Sequence, residues 1–498
     1  MQVSPALFER VSKWLKQEKK SYFNGQWVSG EGEAITLYNP ATEEKICEYA
    51  ALSQKQLECA IDSAEDEFKK QTWGKLPARE RARLLRQLGE VVRENTEELA
   101  LIETLQNGKT FLESLNDDLP DSADVFDYYA GWTDKFYGEL GPVGYGSLNY
   151  IVREPLGVCG LIVPWNFPLL MTMWKLAPAI TANNTVLIKP SSYTPLSFIR
   201  FMELMVERVK LPAGLINMVL GQGRAVGDAL TTSKKVNKIS FTGSTVVGKK
   251  IMENSGKNHL RSLSLELGGK SPCIFFEDTP NLDEAINRSF HVMFSQKGEK
   301  CTEPTRFLIH ESIYKEVSEK LVAKAKAYRL GDPLKPETQQ GAQCHRAHFE
   351  SIVGYLEEAE RIGLNKLCGG MPEKKGEIAK GLYVLPTIYG DVDPNCRLAQ
   401  EEIFGPLLCL FPFKTDEQAI EIANNSEYGL AAGFYTANLA RAHTVARELQ
   451  AGQIFINKYG QYDFSAPFGG VKQSGLGREM GIHSMEAFTQ VKSILTSF

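Results

Sequence analysis

Val158-Cys159-Gly160-Leu161-Ile162-Val163, followed at once by Pro164-Trp165-Asn166-Phe167-Pro168, is the stretch on which the fold turns. A short apolar run closed by proline and other turn residues reads as a strand buried on both faces. Further short runs at 185–188, 216–220, 238–241 and 272–276 alternate with amphipathic helical stretches. This alternation argues for a parallel sheet with helices on both faces, an architecture that commonly binds nucleotides at the carboxyl ends of its strands. The pattern then restarts. Runs at 307–310, 407–413 and 431–435 precede helical stretches near 312–328, 416–424 and 439–449, and Gly331-Asp332-Pro333 supplies a turn that closes the first unit. The chain is expected to be an α/β enzyme with a second α/β domain.

Upstream, residues 1–20 read as an amphipathic helix with Phe8, Val11, Trp14 and Leu15 on one face, without the apolar core of a signal peptide. Residues 22–28 read as two short strands around a turn, and 53–115 as a long helical scaffold. The 498 residues are 43% hydrophobic and 23% charged, a globular composition of about three domains by length. A net charge of -5, with basic and acidic residues interspersed, argues against a nucleic-acid partner. No apolar stretch is long enough to span a membrane. The nine cysteines show no CxxC pair or zinc-ligand spacing, so reduced thiols in the cytoplasm and no metal are expected.

Three stretches carry candidate chemistry. In Gly298-Glu299-Lys300-Cys301-Thr302-Glu303-Pro304-Thr305-Arg306 a cysteine sits in a polar segment ahead of an apolar strand, which suits a nucleophile; a buried, inert cysteine is the commoner fate of this residue. Glu266, in Leu263-Ser264-Leu265-Glu266-Leu267-Gly268-Gly269-Lys270, is a lone carboxylate in an apolar strand. Burial would raise its pKa toward the range of a general base, whereas exposure at the strand end or a basic partner would leave it ordinary. Asn166 is a neutral amide able to stabilise an oxyanion, or a structural asparagine in a proline-bounded turn. Gly243-Ser244-Thr245, with Gly248 in the helix that follows, favours a phosphate or is simply a turn.

Together, Pro164-Trp165-Asn166, Lys189-Pro190-Ser191, Phe241-Thr242-Gly243-Ser244-Thr245, Glu266-Leu267-Gly268-Gly269-Lys270, Cys301, Glu401-Glu402-Ile403-Phe404-Gly405-Pro406 and Pro467-Phe468-Gly469-Gly470 closely resemble, in order, the motifs of the NAD(P)-dependent aldehyde dehydrogenase superfamily. The resemblance spans residues 23–492. It implies that Cys301 attacks the aldehyde, that Asn166 and the Cys301 backbone N–H hold the oxyanion, and that Glu266 activates water to hydrolyse a thioester. Lys175 and Glu479 match positions of a proton relay, with a structural ion pair as the alternative.

For the cofactor, the resemblance implies contacts from Ile162, Pro164, Trp165, Phe241 and Leu267, with Gly243 and Ser244 at the pyrophosphate. Glu402 and Phe404 would meet the nicotinamide ribose, Lys189 the adenosine ribose, and Gly223 and Arg224 the adenine side; His348 aligns near the cofactor ribose rather than with a metal site. Ser192 stands where many NAD-specific relatives have Glu, so NAD is expected with NADP admitted. Phe167, Leu170, Trp174, Lys300, Thr302, Tyr462 and Phe468 are expected to meet the aldehyde. Aromatic groups with Asp463 or Glu303 would suit a betaine aldehyde or aminoaldehyde, while Lys300 favours an acidic or neutral one. A CoA-acylating or a non-catalytic relative are the alternatives; Glu266 argues against the first and Cys301 against the second. The resemblance further implies a cofactor-binding domain (1–136 and 157–266), a catalytic domain (267–480) and a small β oligomerisation element (137–156 and 481–498), assembling as a homodimer or homotetramer.

Overall fold

The computed structural model describes residues 3–373 and 375–498. Its largest sheet has eight strands, in the order Gly475–Leu476, Ser262–Glu266, Lys238–Thr242, Val158–Ile162, Thr185–Lys189, Ile216–Met218, Ser21–Phe23 and Gln26–Val28. The five strands from Ser262–Glu266 to Ile216–Met218 run parallel, and every residue of Val158–Ile162 and Thr185–Lys189 is buried. That double burial explains why these strands are uniformly apolar instead of alternating. Strand order reverses around Val158–Ile162, whose neighbours are Thr185–Lys189 and Lys238–Thr242. The loop carrying Trp165 and Asn166 therefore leaves the carboxyl edge at the point where such sheets open a crevice.

A second sheet orders Asn365–Cys368, Thr387–Gly390, Leu407–Phe413, Arg306–His310, Pro272–Phe275, Ala431–Tyr435 and Gln453–Ile456, parallel except at the first pair. Pro272–Phe275 pairs here and not with the strands that precede it in sequence, which corrects the grouping above. An apolar run carries no record of its partner, and the Gly268-Gly269 break lets the chain cross from one sheet to the other. A third sheet joins Thr489–Ser497, Ser147–Pro155 and Glu139–Gly141 antiparallel, with Val491 and Leu495 exposed.

The scaffold between 53 and 115 is three helices and a short turn, Gln54–Lys70, Ala78–Glu94, Thr96–Asn107 and Phe111–Glu113, not one continuous element. Gln71, which is left-handed, then Pro77 and Asn95, which are not helical, interrupt it. In the first helix, Pro5–Leu15, the buried face is Leu7, Val11 and Trp14, while Phe8 is 44% exposed. A stripe at i, i+4, i+7 leaves Phe8 on the flank. The Asn24-Gly25 turn expected between Ser21–Phe23 and Gln26–Val28 forms, both residues left-handed. Among the described residues no helix is long and apolar enough to cross a membrane.

Candidate active site

Glu266 ends its strand, and the Gly268-Gly269 crossing brings it against the loop that carries Cys301. A Cβ on Gly269 would fall 2.3 Å from the Cys301 carbonyl oxygen, so only glycine permits this approach. Cys301 lies in a turn between Ser295–Gly298 and the strand Arg306–His310. Gln296 and Lys297 are left-handed, at φ 53° and 63°, followed by Gly298 at 71°. Each such non-glycine residue stores on the order of 1–3 kcal/mol, retained where surrounding contacts over-determine the loop. Those contacts include Gln296 N–H to Glu113 Oε1 at 2.6 Å.

A cavity of about 1040 Å³ opens between the two large sheets, lined by Cys301, Glu266 and Asn166 together. Both carboxylate oxygens of Glu266 are buried without a hydrogen-bond partner. Burial, reinforced by the nearby Glu479 charge, raises its pKa well above the ordinary carboxylate range. Burial, with the Glu402 and Glu266 carboxylates, likewise raises the Cys301 thiol, so the nucleophile rests protonated and needs a base. Asn166 donates one amide hydrogen to the Glu299 carbonyl at 2.9 Å. An amide has two, so the second remains for a ligand oxygen. Glu479 is held by Lys175 and by Ser240 Oγ at 3.1 Å, and Lys175 also reaches Thr242 Oγ1 at 2.6 Å.

Pro164, Trp165, Gly243, Ser244, Leu267, Glu402, Phe404 and Glu479 also line the cavity, as do Phe167, Leu170, Trp174, Lys300, Thr302, Tyr462 and Phe468. Ile162, Lys175, Lys189, Ser192, Gly223, Arg224 and Phe241 lie outside its lining. Lys175 stands behind Glu479, while Phe241, Ile162 and Lys189 are register neighbours across three adjacent strands. Burial lowers the Lys189 ammonium to about 8. Lys189 packs beside Gly227, at the end of the short helical stretch Gly223–Gly227 that carries Arg224.

Glu402 accepts from Gly269 N–H at 2.9 Å, and burial raises it to about 7. A Cβ on Gly268 would lie 2.3 Å from Glu402 Oε2, and one on Gly243 2.5 Å from the Phe241 ring. These glycines keep a groove open beside the amino end of the helix Thr245–Asn258, which Ser244 caps. An elongated, phosphate-bearing ligand fits such a cradle.

Elsewhere on the cavity lining, Trp174 and Phe468 meet edge to face at 5.2 Å, and Tyr462 donates to Thr302 Oγ1 at 2.7 Å. The Lys300 ammonium is engaged by protein groups, donating to Val292 O and Ser295 Oγ at 2.7 Å each, with Glu303 Oε1 at 3.3 Å. Glu303 is buried beside Lys300 and is not among the residues that line the cavity, so it does not face a ligand as a counter-charge, which corrects that expectation. Asp463 does line the cavity, and so do Asp117 and Asp121, which the sequence reading missed. His348 also lines it, its ring 2.8 Å from Phe404 O. Among the described residues no group of three His, Cys, Asp or Glu side chains is arranged to hold a metal ion.

A thiol, an amide donor and a buried carboxyl thus converge in one cavity between the two large sheets, beside a glycine-lined groove at the amino end of a helix. The chain matches the model of the Aldehyde dehydrogenase family over residues 27–494 and belongs to that family. It is 40% identical to human retinal dehydrogenase 2, covering 95% of this chain and 91% of that protein. It is also 40% identical to the putative aldehyde dehydrogenase DhaS of Bacillus subtilis, covering 98% and 97%. Among solved structures, the NAD+ complex of an aldehyde dehydrogenase from Bacillus cereus matches with a TM-score of 0.96 at 38% identity, with 100% of each chain covered. The activity is accordingly NAD(P)-dependent oxidation of small-molecule aldehydes.

Proposed function

We propose that the site runs this oxidation through Cys301 and ends it by hydrolysis. The observation that carries the reading is the buried, unpartnered Glu266 carboxyl sharing one cavity with Cys301 and Asn166. The Cys301 sulfur attacks the aldehyde carbon once its proton has been taken by Glu266, directly or through water. The carbonyl oxygen becomes an oxyanion held by the free Asn166 amide hydrogen and the Cys301 N–H. When bound, the nicotinamide dinucleotide supplies the two-electron acceptor for the aldehyde carbon. Glu266 first gives up the thiol proton, which the Lys175–Glu479 pair relays away. It then takes a proton from the water that cleaves the thioester and returns it to the departing sulfur, releasing the acid and the Cys301 thiol.

Residues 1–136 and 157–266 form the cofactor domain in this reading, 267–480 the catalytic domain, and 137–156 with 481–498 the oligomerisation element. The exposed apolar face of Thr489–Ser497 supports a homodimer or homotetramer, and the unpaired, scattered cysteines support a cytoplasmic setting. Ile162, Pro164, Trp165, Phe241, Gly243, Ser244 and Leu267 flank the dinucleotide, with Glu402 and Phe404 at its nicotinamide ribose. Lys189, Gly223 and Arg224 meet the adenosine.

NAD is the cofactor and NADP is tolerated, because Ser192 offers no charge to repel a 2′-phosphate. Ser192→Glu is expected to lower kcat/KM for NADP on the order of 10–100-fold and to leave that for NAD within about 3-fold. Unchanged NADP use would remove Ser192 from the specificity argument. For the substrate, Trp174, Phe468 and Tyr462 suit a flat or apolar aldehyde. Asp117, Asp121 and Asp463 on the lining favour, as a second reading, a cationic betaine or amino aldehyde. Initial rates of NADH and NADPH formation across aliphatic, aromatic, betaine and amino aldehydes, with Cys301→Ala as blank, separate the two. Turnover confined to cationic aldehydes supports the second reading, and broad turnover the first.

A further inference from the structure

The oxyanion donor and the nucleophile loop share one buried cation. Lys297 is 1% exposed, and its ammonium donates to Asn107 O at 2.8 Å and to Asn107 Oδ1 at 2.7 Å. The same nitrogen lies 2.8 Å from Glu299 Oε2 as an ion pair. Asn107, the last residue of the helix Thr96–Asn107, passes its own amide to the Trp165 carbonyl at 2.9 Å. Asn166 closes the circuit by donating to the Glu299 carbonyl at 2.9 Å. Glu299 is held from its other side by Cys344 N–H to Oε1 at 3.0 Å. Cys301 follows Glu299 by two residues, so one ring of contacts fixes both the amide and the thiol.

A cation suits the centre of this ring. Two oxygens of Asn107 and a carboxylate ask for three donors, which an ammonium supplies and a glutamine does not. Gln296 and Lys297 hold left-handed backbone at this point, and the ring joins their loop to Asn107, 190 residues from Lys297. None of Asn107, Lys297 or Glu299 lines the cavity, so the ring acts through Asn166 and Cys301 and not by touching the aldehyde.

We propose that Lys297 is a positioning residue that sets the Asn166 amide against the Cys301 sulfur. This rests on the reading of Asn166 as the oxyanion donor. Lys297→Met is expected to lower kcat/KM for aldehyde on the order of 10–100-fold, with KM for NAD within about 3-fold. In an Asn166→Ala background the same change is expected to cost less than about 3-fold, since the group being positioned is gone. Hydrolysis of p-nitrophenyl acetate, which uses the thiol and the oxyanion donor without a dinucleotide, is expected to repeat the pattern. Lys297→Gln, keeping two of the three donors, should fall between wild type and Lys297→Met, and it takes the place of Met in the cycle if that variant does not fold. Equal losses in both backgrounds, or none in either, would overturn the proposal. The two readings fail separately. Full turnover by Asn166→Ala would sink the oxyanion assignment, whereas an impaired Asn166→Ala enzyme with equal Lys297 losses sinks only the positioning role.

Discussion

Cys301→Ala is expected to reduce aldehyde oxidation by on the order of 10⁴-fold or more, with dinucleotide binding retained within about 3-fold. The size follows from what the residue does. The other cavity groups stabilise or deprotonate an adduct that only this sulfur forms, so their contributions fall with it. Eight other cysteines offer no substitute, since none of them lines the cavity. Alanine removes little volume from a half-buried turn, so the thermal transition should move by no more than a few degrees. Stopped-flow absorbance and cofactor titration test both halves. Turnover within tenfold of wild type would assign the nucleophile elsewhere.

Glu266→Gln is expected to slow steady-state turnover on the order of 10²–10⁴-fold while sparing the first turnover more. If Glu266 chiefly activates the hydrolytic water, the thioester accumulates, and rapid mixing shows about one equivalent of NADH per site before a slow phase. No burst together with a slow first turnover would instead place Glu266 at thiol deprotonation. The pH dependence has a fixed sign. Glu266 and Cys301 both have raised pKa values and both act deprotonated, so kcat/KM climbs as pH rises toward them, and Gln at 266 removes one of the two limbs. Stability runs the other way. The fold favours protonated Glu266, so its contribution is complete at pH below the ordinary carboxylate pKa and is lost as pH rises through the raised one.

The parallel strands were legible because burial on both faces writes a continuous apolar run, as at 158–163, 407–413 and 431–435. Strand partners were not, and 272–276 was grouped with the wrong sheet for that reason. Cys301, Glu266 and Asn166 stood out as polar groups in surroundings that do not explain them, and the structure brings all three to one cavity. Asn107, Lys297 and Glu299 gave no such sign. A lysine and a glutamate in a polar loop read as solvated, and only the tertiary contacts reveal both as buried. Glu303 misled in the opposite direction, since proximity in sequence to Cys301 suggested a role in the cavity that its burial beside Lys300, off the cavity lining, removes.

The most direct test of the account is a stoichiometric one. Purified enzyme is given a limiting aldehyde with excess NAD and no CoA, and NADH and carboxylic acid are both quantified at completion. Hydrolysis by Glu266-activated water requires one NADH and one acid per aldehyde over many turnovers. NADH formation that stops at one equivalent per site until CoA is added would contradict it.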